Sequence, residues 1–304
     1  MPNFGLIESK PDERDYRLGG ETKLPKIIVR ADRDWTAFLP PVELQKDYTT
    51  GFDNFACVTY SGLNCLEVLA KSMGLQWNRS DRFTAKKSGT VPGTGNYLNV
   101  VAESVRTDGT VDEKQYPMVG TVEEYYADLP QDIVLEAKNW LLSNKTGYEW
   151  VDWGGINPEK LWEALQYAPI QVTVDYSAQI NNEIYKTVNH AVMVFAGEYG
   201  KSWKIFDHYS KSIHVVRWDF YFGSAMRYFI FPSMLELVKG TESPDVFVMG
   251  KDGKKYRIED GMEALKKGVE AGLWSEAIQT KPQVEVDAMP LGATVLLYSS
   301  FRDV

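Results

Sequence analysis

From Leu63 onward, apolar residues recur at spacings of three and four (Leu63, Leu66, and Leu69 or Ala70), and Glu67 and Lys71 stand four apart on the polar side. This period predicts a helix over residues 55–73. The same period returns at 97–107, where Leu98, Val101 and Val105 form the apolar stripe and Asp108-Gly109 ends it. It returns at 131–143, with Ile133, Leu135, Ala137, Trp140 and Leu141 following Pro130, and in a shorter run at 158–167. Downstream the period shortens towards two. QVTVDY (171–176), HAVMVF (190–195), WKIF (203–206), HVVRW (214–218) and RYFIF (227–231) read as strands. The pattern therefore predicts an α+β chain, with a mainly helical region at about 45–145 and a β-rich region at about 146–235.

Residues 1–40 are rich in charge and proline and predict an extended arm over the surface, with KLPKIIVR as one candidate strand. Pro232 and Pro244, with the charge between them, mark a boundary. Residues 236–304 then form a small C-terminal module with α+β character. In it VFVMGKDGKKYRI predicts a hairpin turning at Asp252-Gly253, GMEALKKGVEAGLW an amphipathic helix, and ATVLLYS a last strand.

Composition narrows the function classes. A chain of 304 residues can bury a sizeable core. A net charge of −9 gives no basic footprint for nucleic acid. No apolar run approaches membrane-spanning length, and MPNFGLIESKPDERDY carries neither a basic nor an apolar leader region. The expected location is cytoplasmic or virion-associated. The only cysteines, Cys57 and Cys65, fall on one predicted helix eight residues apart, or roughly 12 Å along its axis. That is too far for a disulfide, which points to a reducing compartment or to independence from oxidation. With three histidines and no C-x₂-C or H-x₃-H spacing, neither a metal site nor a cofactor is expected.

Cys57 follows a turn-rich segment and opens the first helix. With Asp53 or Asn54 as a candidate N-cap, its thiol would lie in the first turn, where the helix dipole favours the thiolate. The plainer reading is a small buried hydrophobe, which is also the reading of Cys65. His190 lies in TVNHAVMVFAGEYGKSWKIFDHY, which reads as a hairpin turning at Gly197–Gly200. Symmetric pairing would set Ala196 opposite Lys201, Ile205 opposite Val192, and Asp207 opposite His190. A carboxylate beside an imidazole is the base-and-orienter half of a nucleophilic triad, or else a structural pair on a solvated face. His208 and His214 have no evident partner in the sequence and read as surface or structural residues. The Val91–Asn96 loop has enough glycine for backbone to approach a bound strand, and it also reads as a surface turn. Segment 177–189 reads as a polar loop that could rim a cleft.

The order Gln45, Cys57, His190, Asp207, with 133 positions between Cys and His, resembles the papain-like cysteine peptidases. PDERDY (11–16), PPVELQ (40–45), the stretch 80–117 and LWEALQYAPIQVTVDY (161–176) are similar to passages of that family, over about residues 10–235. The resemblance implies a two-lobe fold over 41–235, with a helical lobe and an antiparallel β lobe. It implies a Cys57–His190–Asp207 triad, an oxyanion donor at Gln45 with Asn54 as fallback, and substrate contacts at Gly93, Gly95 and Asn189. Three positions depart from the family. Gln45 lies twelve before Cys57 instead of about six, Val58 replaces an aromatic, and Asp207 replaces an asparagine. A long helical propeptide does not fit in forty residues, so no zymogen step is expected. The implied function is cofactor-free hydrolysis of peptide bonds in a peptide or protein substrate. The alternatives are a cell-wall amidase or acyl transferase with the same triad, and a non-catalytic assembly or virion component that meets its partner through residues 236–304.

Overall fold

Helix α1 (Cys57–Ser72) is buried over almost its whole circumference, from Cys57 to Ala70. The polar side expected of it does not exist. Glu67 is buried and accepts the Arg79 backbone N–H at 2.6 Å, and the Lys71 ammonium donates to the Leu39 carbonyl at 3.2 Å, so the two form no pair. Nor is the helix capped by a side chain: its N-cap is Ala56. Asp53 and Asn54 act one step earlier, accepting the backbone N–H groups of Phe55 at 2.9 Å and Ala56 at 3.0 Å. These Asx-type bonds shape the turn that delivers Cys57 to the helix start. Phe55, inside that turn, has a left-handed φ of 53°, which L side chains adopt at a cost.

The computed structural model describes residues 3–9, 17, 30–210, 213–232, 235–249, 255–257 and 274–291. They fall into two compact units that divide near residue 230, with 143–145 grouped with the second. In the first unit α1 is followed by α2 (Asp81–Lys87), α3 (Leu98–Asp108), α4 (Val122–Tyr125) and α5 (Gln131–Ser143). Then come β1 (Asn144–Trp153), α6 (Pro158–Leu165), β2 (Ile170–Val174), α7 (Tyr176–Asn181), β3 (His190–Glu198), β4 (Ser202–Phe206), β5 (Ile213–Arg217) and β6 (Ser224–Pro232). The caps are sequence-encoded: Ser80, Thr121, Asn157 and Asp175 each accept a backbone N–H of the first turn of α2, α4, α6 and α7.

The six-stranded sheet has the order β1-β6-β2-β3-β4-β5, and β2 pairs antiparallel with both β3 and β6. Strands β2 and β3 are buried at every position from Ile170 to Val174 and from His190 to Ala196, because α1 and α6 pack against them. Their alternation is therefore not that of a half-solvated sheet. The apolar core is continuous from Val58, Leu66 and Leu69 through Ile170, Val172, Val192 and Val194 to Ile205. A polar tie crosses it. Gln171 on β2 donates to the Val58 carbonyl and Ser61 hydroxyl of α1, both at 2.7 Å, and accepts the Tyr228 hydroxyl of β6 at 2.7 Å.

Two expectations about the arm fail. Trp35 is fully buried, its backbone N–H donating to Phe195 and its indole N–H to Leu165, so residues 30–40 include core. In residues 3–9, Gly5 and Leu6 are buried, and the Phe4 ring lies against His190 with centroids 5.8 Å apart. KLPKIIVR lies outside the described residues apart from its last one, Arg30.

In the second unit β7 (Leu235–Gly240), β8 (Val246–Met249), β9 (Lys255–Arg257) and β10 (Trp274–Lys281) form a sheet ordered β10-β7-β8-β9, followed by α8 (Gln283–Ala288). The expected hairpin strands do pair, with Val248 opposite Tyr256 and Met249 opposite Lys255. The turn at Asp252-Gly253, the helix expected after it up to residue 273, and ATVLLYS lie outside the described residues. Trp274, expected to end that helix, opens β10 instead, parallel to β7. Among the described residues no helix is long and apolar enough to cross a membrane.

Candidate active site

The hairpin of β3 and β4 is not the symmetric one expected. Strand β3 continues to Glu198, the turn is Tyr199–Lys201, and the ladder pairs Glu198 with Ser202 and Gly197 with Trp203. A bulge between Val194 and Ala196 then shifts the register, so that Val194 faces Ile205 and Met193 faces Phe206. Asp207 is thus not cross-strand to His190. It meets His190 from the residue after β4, where the chain leaves the sheet, and His190 Nε2 lies 2.9 Å from Asp207 Oδ1. Both side chains are fully buried.

Asp207 is held by more than the imidazole. Oδ1 also accepts the Tyr209 N–H at 2.8 Å, and Oδ2 accepts Gln179 Nε2 at 2.9 Å and the Ser210 hydroxyl at 2.7 Å. Burial pushes its carboxyl up, but the His190 imidazole beside it, together with His214 and His208, outweighs burial and keeps Asp207 well below the usual carboxylate range. Gln179 was expected only as part of a polar loop that could rim a cleft, and Ser210 was not expected at all. Gln179 reaches the site because α7 forms where a loop was expected, and its Asp175 cap could have been read from the sequence. His214 is not partnerless: its Nε2 lies 2.7 Å from Ser210 Oγ and 3.6 Å from Asp207 Oδ2.

Cys57 is the first residue of α1, as expected, and α1 packs on β3. Its thiol is fully buried. Burial pushes its pKa far up, against a smaller pull from the Ala191 backbone N–H, next to His190. His190 Nδ1, the ring nitrogen that Asp207 leaves free, has no hydrogen-bond partner, the Cys57 thiol included.

Gln45 is brought to the site despite its distance in sequence, because residues 46–53 fold back on themselves, with Lys46 bridging Asp53 and the Asp47 N–H donating to the Phe52 carbonyl. Its Nε2 donates to Asp53 Oδ1 at 3.1 Å and to the Phe4 carbonyl at 2.9 Å. The fallback donor, Asn54, is engaged elsewhere, its Nδ2 donating to the Tyr60 hydroxyl at 3.0 Å. Asn189 contributes its carbonyl, which accepts the Phe4 N–H at 3.1 Å, while its side chain accepts the Tyr176 N–H at 2.8 Å. Gly95 lies against the Gly5 backbone, and Gly93 faces open space. Tyr176 and Tyr209 flank the imidazole edge-on, with centroids 5.5 and 5.9 Å from it.

His208 lies beneath this layer, fully buried and stacked on Tyr60 at 5.1 Å, with both ring nitrogens unpartnered. Burial lowers its pKa to about 3, so it is neutral. One donor atom each of His190, Asp207 and His208 lie within 4.8 Å of one another, a grouping with the donor set of a cation site that sequence spacing does not reveal. An ion there would have to compete with the His190–Asp207 hydrogen bond.

No family model matches the chain, and no curated protein sequence does either. Solved structures do. Xylellain, a cysteine protease from Xylella fastidiosa, is matched with a TM-score of 0.53 at 14% identity, over 74% of this chain and 95% of that one. The digestive procathepsin L2 proteinase of the Tenebrio molitor larval midgut is matched at 0.52 and 15% identity, over 74% and 78%. Procathepsin L 3 from the same tissue is matched at 0.50 and 15%, over 74% and 76%. With its helices, its largely antiparallel sheet and these neighbours, the chain has the papain-like fold.

Proposed function

We propose that this chain is a cysteine peptidase in which Cys57 attacks the scissile carbonyl. The observation that carries this reading is the His190 ring: Asp207 holds Nε2 at 2.9 Å, while Nδ1 has no hydrogen-bond partner, and the strand that His190 opens packs on the helix that Cys57 opens. An imidazole fixed at one nitrogen by a carboxylate and open at the other is arranged to take a proton. His190 would remove the Cys57 proton as sulfur attacks, and the carbonyl oxygen would gather negative charge within reach of Gln45 Nε2 and the Cys57 backbone N–H. Collapse of that intermediate breaks the C–N bond, with the proton passing from His190 to the leaving amine. Water, deprotonated by His190, then releases the acyl group from sulfur.

One observation favours a non-catalytic scaffold instead. Cys57 has no exposed surface, and no hydrogen bond joins it to the base. Apo geometries of catalytic pairs are often loose, so this alone does not reject the peptidase. The two readings separate on incubation with a quenched peptide library. Cleavage that is lost in both Cys57→Ala and His190→Ala supports the peptidase, with the two losses not adding in the double variant. Cleavage that survives Cys57→Ala ends the proposal, and no cleavage under any condition leaves the scaffold.

A further inference from the structure

His208 is the buried polar side chain beside the site that the reaction above does not use. It has no exposed surface, it stacks on Tyr60 with centroids 5.1 Å apart, and neither ring nitrogen has a hydrogen-bond partner. A neutral imidazole carries one N–H and one lone pair, and here burial leaves both unanswered, which folded proteins seldom allow without a reason. The ring does not stand alone. Its centroid lies 5.5 Å from that of His190, and one donor atom each of His190, Asp207 and His208 lie within 4.8 Å of one another. His190 adds a further unpartnered nitrogen, Nδ1, and Asp207 adds a carboxylate. Among the described residues this is the one grouping of its kind.

Two imidazoles and one carboxylate are a donor set for a divalent ion of the zinc class. Zinc takes His nitrogen at about 2.0–2.1 Å and carboxylate oxygen at about 2.0–2.2 Å, and three protein ligands with one open position suffice to hold it. Two ligands on such a tetrahedral ion stand about 3.4 Å apart. His190 Nε2 and Asp207 Oδ1, at 2.9 Å, are already near that separation. Rotation of the His208 ring, which no hydrogen bond holds, brings in the third donor. His190 lies seventeen positions before Asp207 and His208 directly follows it, so no short metal motif marks the group. The start of β3 and the end of β4 assemble it.

We propose that His190, Asp207 and His208 form a binding site for a divalent cation of the zinc class, and that the bound ion switches the reaction off. A neutral imidazole has one lone pair, so a His190 ring that binds the ion through either nitrogen has none left to take the Cys57 proton. On Nε2 the ion replaces the proton shared with Asp207, and that proton passes to the unpartnered Nδ1. The inhibitory sense rests on the reading of His190 as base; the cation site does not. Cys57 is not in the group, so this site differs from one in which an ion is clamped between thiolate and imidazole. It also departs from the expectation, drawn from sequence spacing, that the chain has no metal site.

Calorimetric titration of the chelator-treated full chain with zinc chloride tests this, beside Cys57→Ala and His208→Phe, the latter keeping a ring on Tyr60. One zinc should bind per chain, and equally well in Cys57→Ala. Outer-shell partners tune such sites by about tenfold to hundredfold, so losing a ligand in His208→Phe should weaken binding by at least about a hundredfold. Magnesium, which takes oxygen ligands, should not compete. Cobalt(II), a coloured stand-in that reads the ligand set without any variant, should give tetrahedral d–d bands and no thiolate charge-transfer band. Turnover of a peptide library should fall as zinc fills the site and return with chelator. If zinc binds with this dependence on His208 but no peptide is cleaved with or without chelator, the cation site stands and the peptidase reading falls. If no zinc binds, the proposal is overturned whether or not peptides are cleaved. Binding that survives His208→Phe, or that Cys57→Ala abolishes, overturns it as well.

Discussion

Asp207 Oδ1 and His190 Nε2 stand 2.9 Å apart in a fully buried setting, although the strands that carry them to the site are out of the register that would pair them. The geometry comes from the residue after β4 and from three further hydrogen bonds, those of Tyr209, Gln179 and Ser210, that leave the carboxylate one orientation. Asp207→Ala should lower kcat by about 10²–10⁴, with KM little changed, since an orienting carboxylate acts mainly in the transition state. The sign of its linkage follows from a pKa lowered on folding. Its contribution to stability is present above the unfolded carboxyl range near 4 and is lost as pH falls below it. Steady-state kinetics, with urea unfolding at neutral and acid pH, measures both effects.

Gln171 ties the first turn of the Cys57 helix to the sheet. Gln171→Ala would leave the buried Tyr228 hydroxyl without its acceptor, while the Ser61 hydroxyl keeps its bonds to the Cys57 and Val58 carbonyls. A loss of about 2–4 kcal/mol is expected from the unsatisfied hydroxyl and the cavity together. Because the helix start would loosen, kcat should fall even under conditions where the variant is fully folded. Denaturant melts paired with kinetics well below the midpoint separate the two effects.

Glu67 gives the fold an acid preference. Burial, opposed by the Arg79 N–H, raises its pKa to about 8, and burial raises that of Glu113 to about 7. A carboxyl that binds its proton more tightly folded than unfolded contributes stability that is full below the unfolded value near 4. That stability is lost as pH rises towards the folded value. Unfolding free energy should therefore drop between pH 5 and pH 8, by an amount on the order of a few kcal/mol. Glu67→Gln, which still accepts the Arg79 N–H, should flatten that slope and gain stability at pH 8. A slope unchanged by the substitution would exclude Glu67 as its source.

The elements that carry the site were legible because their periods are strong. The Leu63–Leu69 stripe gave α1, and the β-branched runs gave β2 through β6, with Cys57 placed at a helix start and His190 on a strand. The paired role of His190 and Asp207 was also legible, though for a reason that proved incomplete. A two-residue turn was assumed, whereas the bulge at Val194–Ala196 and the longer β3 moved the register. Such a bulge carries no sequence mark here, because no glycine or proline stands at it. The burial of Cys57 was not legible, because helix position is visible in a sequence and tertiary packing over it is not. That burial comes from strands β2 and β3, more than a hundred positions away, which pack on the helix that Cys57 opens. Gln179 was hidden by the choice of loop over helix at 177–189, and Phe4 by the habit of reading charged, proline-rich ends as surface.

Acyl-enzyme capture by mass spectrometry tests the central claim most directly. The full chain is mixed with an activated peptide ester, quenched in acid within the first turnover and digested, with Cys65 as the internal control. One acyl group should appear on the Cys57 peptide, form far more slowly in His190→Ala, and be absent in Cys57→Ala. An adduct on Cys65 alone, or an adduct on Cys57 that forms equally fast without His190, would contradict the assignment of Cys57 as nucleophile and His190 as its base.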